Sequence, residues 1–95
     1  MSAADDPALR EFREQISDTD RAILTAVNTR LELVARIKDY KDSRGIAFVD
    51  PEREAQMLED LTQANRGPLS AEGLRELLTS VLDLTKRELA RRGEQ

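Results

Sequence analysis

The sequence contains no cysteine and no histidine among its 95 residues. Without thiols there can be no disulfide staple, no thiolate nucleophile and no sulfur-ligated metal. Without imidazole, Ser-His-Asp and Cys-His triads, the common zinc sites and a histidine proton shuttle are excluded as well. Tryptophan is also missing, and the only aromatics are Phe12, Tyr40 and Phe48, too few for a surface that stacks RNA bases. Uninterrupted apolar runs are only a few residues long, so no segment reads as a membrane span or a signal-peptide core, and the cytoplasm is the expected address. What remains for chemistry is Asp, Glu, Lys, Arg and hydroxyls.

These are plentiful. Charged side chains make up 36% of the chain against 39% hydrophobic, with a net charge of −4. Basic residues are interspersed among acidic ones, with no basic tail or block, which argues against nucleic acid as a partner. The length suits one domain, and no internal repeat or low-complexity tract divides it.

Helix signals punctuate the chain. Asp6-Pro7 can start a helix, the aspartate capping and the proline standing where its missing N–H costs nothing. No Gly or Pro follows until Gly45. Leu9, Phe12, Ile16, Ile23, Val27, Leu31, Val34 and Ile37 recur in steps of three, four or seven, which is one helical stripe. A first helix is therefore predicted over about 7–43. Asp50-Pro51 opens a second, about 51–65, with Glu52 and Glu54 in the first turn where the helix dipole favours negative charge. Asn65-Arg66-Gly67-Pro68 combines a stop with a turn, and Ser70 can cap a third, about 71–92, rich in leucine. The fold class predicted is all-α, with three helices per chain.

The first helix is too long for a monomer. About 36 residues at about 1.5 Å each span roughly 54 Å, against a diameter of about 32 Å for a compact chain of this size. Nothing in the segment supplies the usual cause of a kink. A twofold homodimer, the long helices packed on each other, is the economical way to cover the stripe.

Some charges fall on the apolar side. At about 100° per residue, Arg30 and Lys41 lie within roughly 20° to 40° of the stripe centre, with Asp20 and Lys38 close by. They could form ion pairs with Asp20, Asp50, Glu54 or Glu88, or snorkel to the bundle edge. Alternatively they hold an anionic ligand, because a desolvated cation costs several kcal/mol unless paired. Arg30 and Lys41 stand roughly 16 Å apart along the axis and could clamp a compact carboxylate, whereas Arg13 is roughly 42 Å from Lys41 and could join the same ligand only from a partner chain.

The run Phe-Arg-Glu-Gln-Ile-Ser-Asp-Thr-Asp at 12–20, the Arg-Leu-Glu-Leu-Val segment at 30–34, Lys41, and Asp50-Pro51-Glu52-Arg53-Glu54 together resemble the all-helical AroQ-class chorismate mutases. The resemblance covers nearly the whole chain in order. It implies an intertwined dimer with two equivalent sites that rearranges chorismate to prephenate without cofactor or metal. Arg13 would reach into the other protomer's site, and Arg30 would pair a substrate carboxylate within its own chain. Lys41 would hydrogen-bond the ether oxygen and a carboxylate. Asp50 and Glu54 would hold the ring hydroxyl end, and Arg53 would add positive potential to the floor.

The third helix departs from that pattern. In the family a small residue is followed four positions later by a glutamine that donates to the ether oxygen. Thr85 fits the first place, but strict spacing puts Leu89 at the second, with Glu88 beside it. Either a protonated Glu88 donates there, or Glu88 merely pairs with Lys86, Arg91 or Arg92 while Leu89 faces the core. Three alternatives share the scaffold: an isochorismate pyruvate lyase, an aminodeoxychorismate mutase, and a non-catalytic dimeric regulatory module. If turnover depended on a second protein, another shikimate-pathway enzyme would be the partner expected.

Overall fold

The computed structural model describes residue 2 and residues 5–93, and the secondary structure among them is three α-helices. They are α1 (Pro7–Ser43), α2 (Pro51–Ala64) and α3 (Ala71–Gly93).

Each helix begins and ends on identifiable chemistry. Asp6 caps α1, its Oδ1 accepting from the backbone N–H groups of Ala8 at 2.9 Å and Leu9 at 3.3 Å. At the other end Gly45 takes φ 68°, which a residue with a Cβ adopts only under strain. That left-handed residue lets Gly45 N–H donate to Asp42 O at 3.4 Å and Ile46 N–H to Lys41 O at 2.9 Å, the paired bonds of a Schellman stop. Asp50 caps α2 by accepting from Arg53 N–H at 3.2 Å, and Pro51 takes the first helical position. Asn65, which the sequence places at the end of α2, is its C-cap, and its side chain both donates to Leu69 O and accepts from Gly67 N–H. Ser70 Oγ accepts from Gly73 N–H at 3.0 Å and so caps α3.

Contacts divide the chain into two units, one ending at Leu33 and one beginning at Val34. In the first, α1 has no buried residue, and Phe12, Ile16, Ile23 and Leu24 are all more than half exposed. Asp20, near the centre of the stripe on a helical wheel, is exposed too. In the second unit α2 packs against α3. Leu74, Leu78, Thr85 and Leu89 are buried there. Their spacing of four, seven and four places them on a single face of α3, backed by the half-buried Met57 and Leu58 of α2. The ion pair between Arg92 and Asp39, 3.0 Å, also ties the last turn of α3 to the end of α1.

With so few fully buried side chains, each leucine of that face carries a large share of the packing. Leu74→Ala removes buried methyl groups and leaves a cavity, so a loss of about 2–4 kcal/mol is expected in denaturant unfolding.

Candidate functional site

Lys41 sits in the last turn of α1, three residues before the chain leaves helical geometry. The Schellman stop turns the following loop back over that turn. Lys41 Nζ donates to the carbonyl of Phe48 at 3.2 Å and lies 6.0 Å from the centre of its ring. Among the described residues Lys41 forms none of the ion pairs anticipated with Asp20, Asp50, Glu54 or Glu88. Its neighbour Lys38 is different, being paired with Asp42 at 2.7 Å.

Lys41, Asp50 and Glu52 line the same shallow concavity of about 560 Å³, walled by Ile46, Ala47, Val49 and Pro51. Lys41 is the cation of that lining and is ion-paired to neither of its carboxylates, so its ammonium can meet an anion. Asp50 spends one carboxylate oxygen on the cap of α2. Its second oxygen is the one available to a ligand.

Glu54 faces another way. It lines a groove of about 250 Å³ between α2 and α3 with Leu58, Leu78 and Leu82. There its Oε1 meets Lys86 Nζ at 3.3 Å, with the glutamate side chain 30% exposed. Lys86 was not among the residues singled out from the sequence as a site component. A single lysine one place from Thr85 carries no signal of its own, and only the packing of α3 on α2 brings it to Glu54. Arg53, next to Glu54, is exposed.

On α3 the two candidates for one position separate. Leu89 takes the buried place, 6% exposed, while Glu88 is half-buried and ion-paired to Arg91 at 3.0 Å. Thr85 is buried, and its hydroxyl donates to Val81 O at 2.7 Å. The two candidate arginines of α1, Arg13 and Arg30, belong to the first unit. Arg13 is exposed beside Arg10, Glu14, Ser17, Asp18 and Arg21, and Arg30 is half-buried.

Residues 12–89 match the sequence profile of the chorismate mutase type II family. The chain belongs to that family. It is 36% identical over 90 residues to the bifunctional chorismate mutase/prephenate dehydratase of Pseudomonas aeruginosa, which covers 85% of this chain and 25% of that one. It is 39% identical over 56 residues to the 4-amino-4-deoxychorismate mutase of Streptomyces pristinaespiralis, covering 59% of this chain and 43% of that one. The chain thus spans from about an eighth to about two fifths of the length of the curated relatives it matches. Among solved structures, the chorismate mutase of Thermus thermophilus (Form II) superposes with a TM-score of 0.83 at 28% identity, over 88% of this chain and 96% of that one.

Asp50 offers two separable features, the helix cap and a second carboxylate oxygen. Asn caps a helix about as well as Asp, whereas Ala costs about 1 kcal/mol. Asp50→Ala is therefore expected to lower unfolding stability by that amount, and Asp50→Asn to retain it. A fall in activity shared by both variants then reports the lost carboxylate.

Proposed function

We propose that this chain is a chorismate mutase, converting chorismate to prephenate by an intramolecular rearrangement, and that it works as a homodimer in the cytoplasm. The observation that carries the reading is Lys41, an ammonium with no carboxylate partner among the described residues, held beside Asp50 on one concavity. In this reaction the ether C–O bond breaks as the enolpyruvyl carbon bonds to the ring, and negative charge builds on the oxygen. Lys41 meets that charge as it develops, so it stabilises the transition state more than the ground state. No nucleophile, metal or proton shuttle is required, which accommodates a chain without Cys or His.

The remaining roles follow from charge and placement. Arg30 pairs a substrate carboxylate through its planar fork. Asp50 receives the ring hydroxyl end and Arg53 adds positive potential; for Glu54 to join Asp50 there, its carboxylate exchanges Lys86 for the substrate hydroxyl. Thr85 forms part of the wall on α3. Arg13 is contributed by the second protomer. The exposed face of α1, with Phe12 and Ile16 each 59% exposed and Ile23 57% exposed, supports that arrangement, since a row of large apolar side chains gains most from a second copy of itself across a twofold axis. No helix among the described residues is long and apolar enough to cross a membrane.

A second reading, an aminodeoxychorismate mutase, is favoured by the Streptomyces relative. Chorismate and its 4-amino analogue differ in one ring substituent. Assaying both, together with isochorismate, ranks them directly.

Purified protein is expected to form prephenate from chorismate, with Lys41→Ala and Arg30→Ala each lowering kcat/KM at least about 100-fold. Sedimentation at assay concentration should give a dimer. Absence of turnover by the wild-type chain overturns the enzymatic reading, and a monomer that turns over substrate overturns the role of Arg13 in trans.

Glu88 has its own test. A donor carboxylic acid would make activity fall as pH rises through its titration, and Glu88→Gln would flatten that fall. With Glu88 turned to Arg91 and Leu89 in the buried place, the expected result is a pH profile unchanged by the substitution.

A further inference from the structure

We propose that Phe48 is the positioning residue for Lys41, its ring and carbonyl together holding the ammonium toward the concavity without neutralising it. The inference rests on the reading of Lys41 given above, as the cation that meets the ether oxygen. Of the three aromatic residues in the chain, Phe12 and Tyr40 are more than half exposed, and Phe48 is the half-buried one. It lies in the loop between α1 and α2, two residues before Asp50. Its ring stands 6.0 Å from Lys41 Nζ and 5.7 Å from Lys38 Nζ, within the range where an aromatic face attracts a cation. Its carbonyl accepts from Lys41 Nζ at 3.2 Å.

The two parts of Phe48 act differently. A backbone carbonyl at this position could come from any residue, and it occupies one of the three N–H donors of the ammonium. Two donors remain for a ligand. The ring restrains a long, flexible side chain from another side by attraction of the positive charge to the negative π face. A carboxylate there would hold the lysine more tightly, yet it would cancel the charge and compete with an anionic substrate. Lys38 shows the contrast: it shares the same ring, but its charge is taken up by Asp42 at 2.7 Å. Of the two lysines on the ring, only Lys41 keeps its charge available. The loop is placed for this by the Schellman stop at Gly45, whose bond from Ile46 N–H to Lys41 O turns the chain back onto the residue it serves.

The test uses the full chain with Phe48→Leu, Phe48→Tyr, and mono- to trifluorinated phenylalanine introduced at position 48 alone. Fluorination weakens the π face with little change of shape, so a packing role would leave the rate level across the series. The expected result is a stepwise fall in kcat with fluorine number at nearly constant KM. For Phe48→Leu the fall should be about three- to fivefold, on the scale of an exposed cation–π contact. Phe48→Tyr should restore most of the rate. A flat fluorination series, or an equal loss in the Leu and Tyr variants, overturns the proposal.

An NMR measurement on the unliganded protein keeps this proposal distinct from the functional reading. The ε-methylene protons of Lys41 should show an upfield ring-current shift that Phe48→Leu removes. If that shift is present but wild-type protein forms no prephenate, the enzymatic reading fails while the placement of Lys41 by Phe48 stands. If the shift is absent, the proposal fails whatever the turnover.

Discussion

The constraint on which the other features depend is the unbroken hydrogen-bond ladder of α1, 37 residues from Pro7 to Ser43. From Ala8 to Arg44 there is no Gly or Pro to interrupt it, and Gly45 ends it by adopting the left-handed conformation that other residues resist. A helix of this kind presents its apolar side chains on one face whether or not anything covers them. The exposed Phe12, Ile16, Ile23 and Leu24 are the direct consequence, and the proposed homodimer follows from the free energy of covering them.

The end of that ladder is also where the chemistry begins. Because the helix stops two residues after Lys41, the loop returns over its last turn and supplies the carbonyl and ring of Phe48. The same loop then delivers Asp50 as the cap of α2. One backbone event thus places a cation, its restraint and a carboxylate around one concavity. Elsewhere, charges are consumed locally. Lys38 takes Asp42, Lys86 takes Glu54, Arg91 takes Glu88 and Arg92 takes Asp39. Most of these are partly exposed and add little to stability. Lys41 is in none of these pairs, and an anion can approach its ammonium.

The candidate site was legible in uneven measure. The helix starts at Asp6-Pro7 and Asp50-Pro51, the stop at Gly45 and the cap at Ser70 are local chemistry, and local chemistry reads directly from residue order. The inward bias of Arg30 and Lys41 on the helical wheel corresponds to two half-buried side chains. The pairing of charges was not readable in the same way. A wheel gives direction to within a few tens of degrees, and adjacent positions such as Glu88 and Leu89 differ by about 100° but can each be turned toward a neighbour by a modest rotation of the helix. Lys86, weighed only as a partner for Glu88, and Phe48, counted only as an aromatic, were not placed in the site because neither belongs to a spacing pattern. Each matters through a residue on another element.

Sequence alone therefore determined the all-α class, the three helices, the positions of their caps and stops, and the family to which the chain belongs. The helices and their ends depend on backbone propensity, apolar periodicity and short-range hydrogen bonds, all set within a few residues; the family rests instead on the resemblance carried by residues 12–20, 30–34, Lys41 and 50–54. Tertiary structure decided which carboxylate each cation meets, that Leu89 rather than Glu88 fills the buried place on α3, and that Lys41 is held by an aromatic loop residue. The reason is distance. An ion pair or a cation–π contact exists only where two elements approach within a few ångströms, and that approach is set by how the leucine face of α3 seats against α2 and how the loop after Gly45 turns.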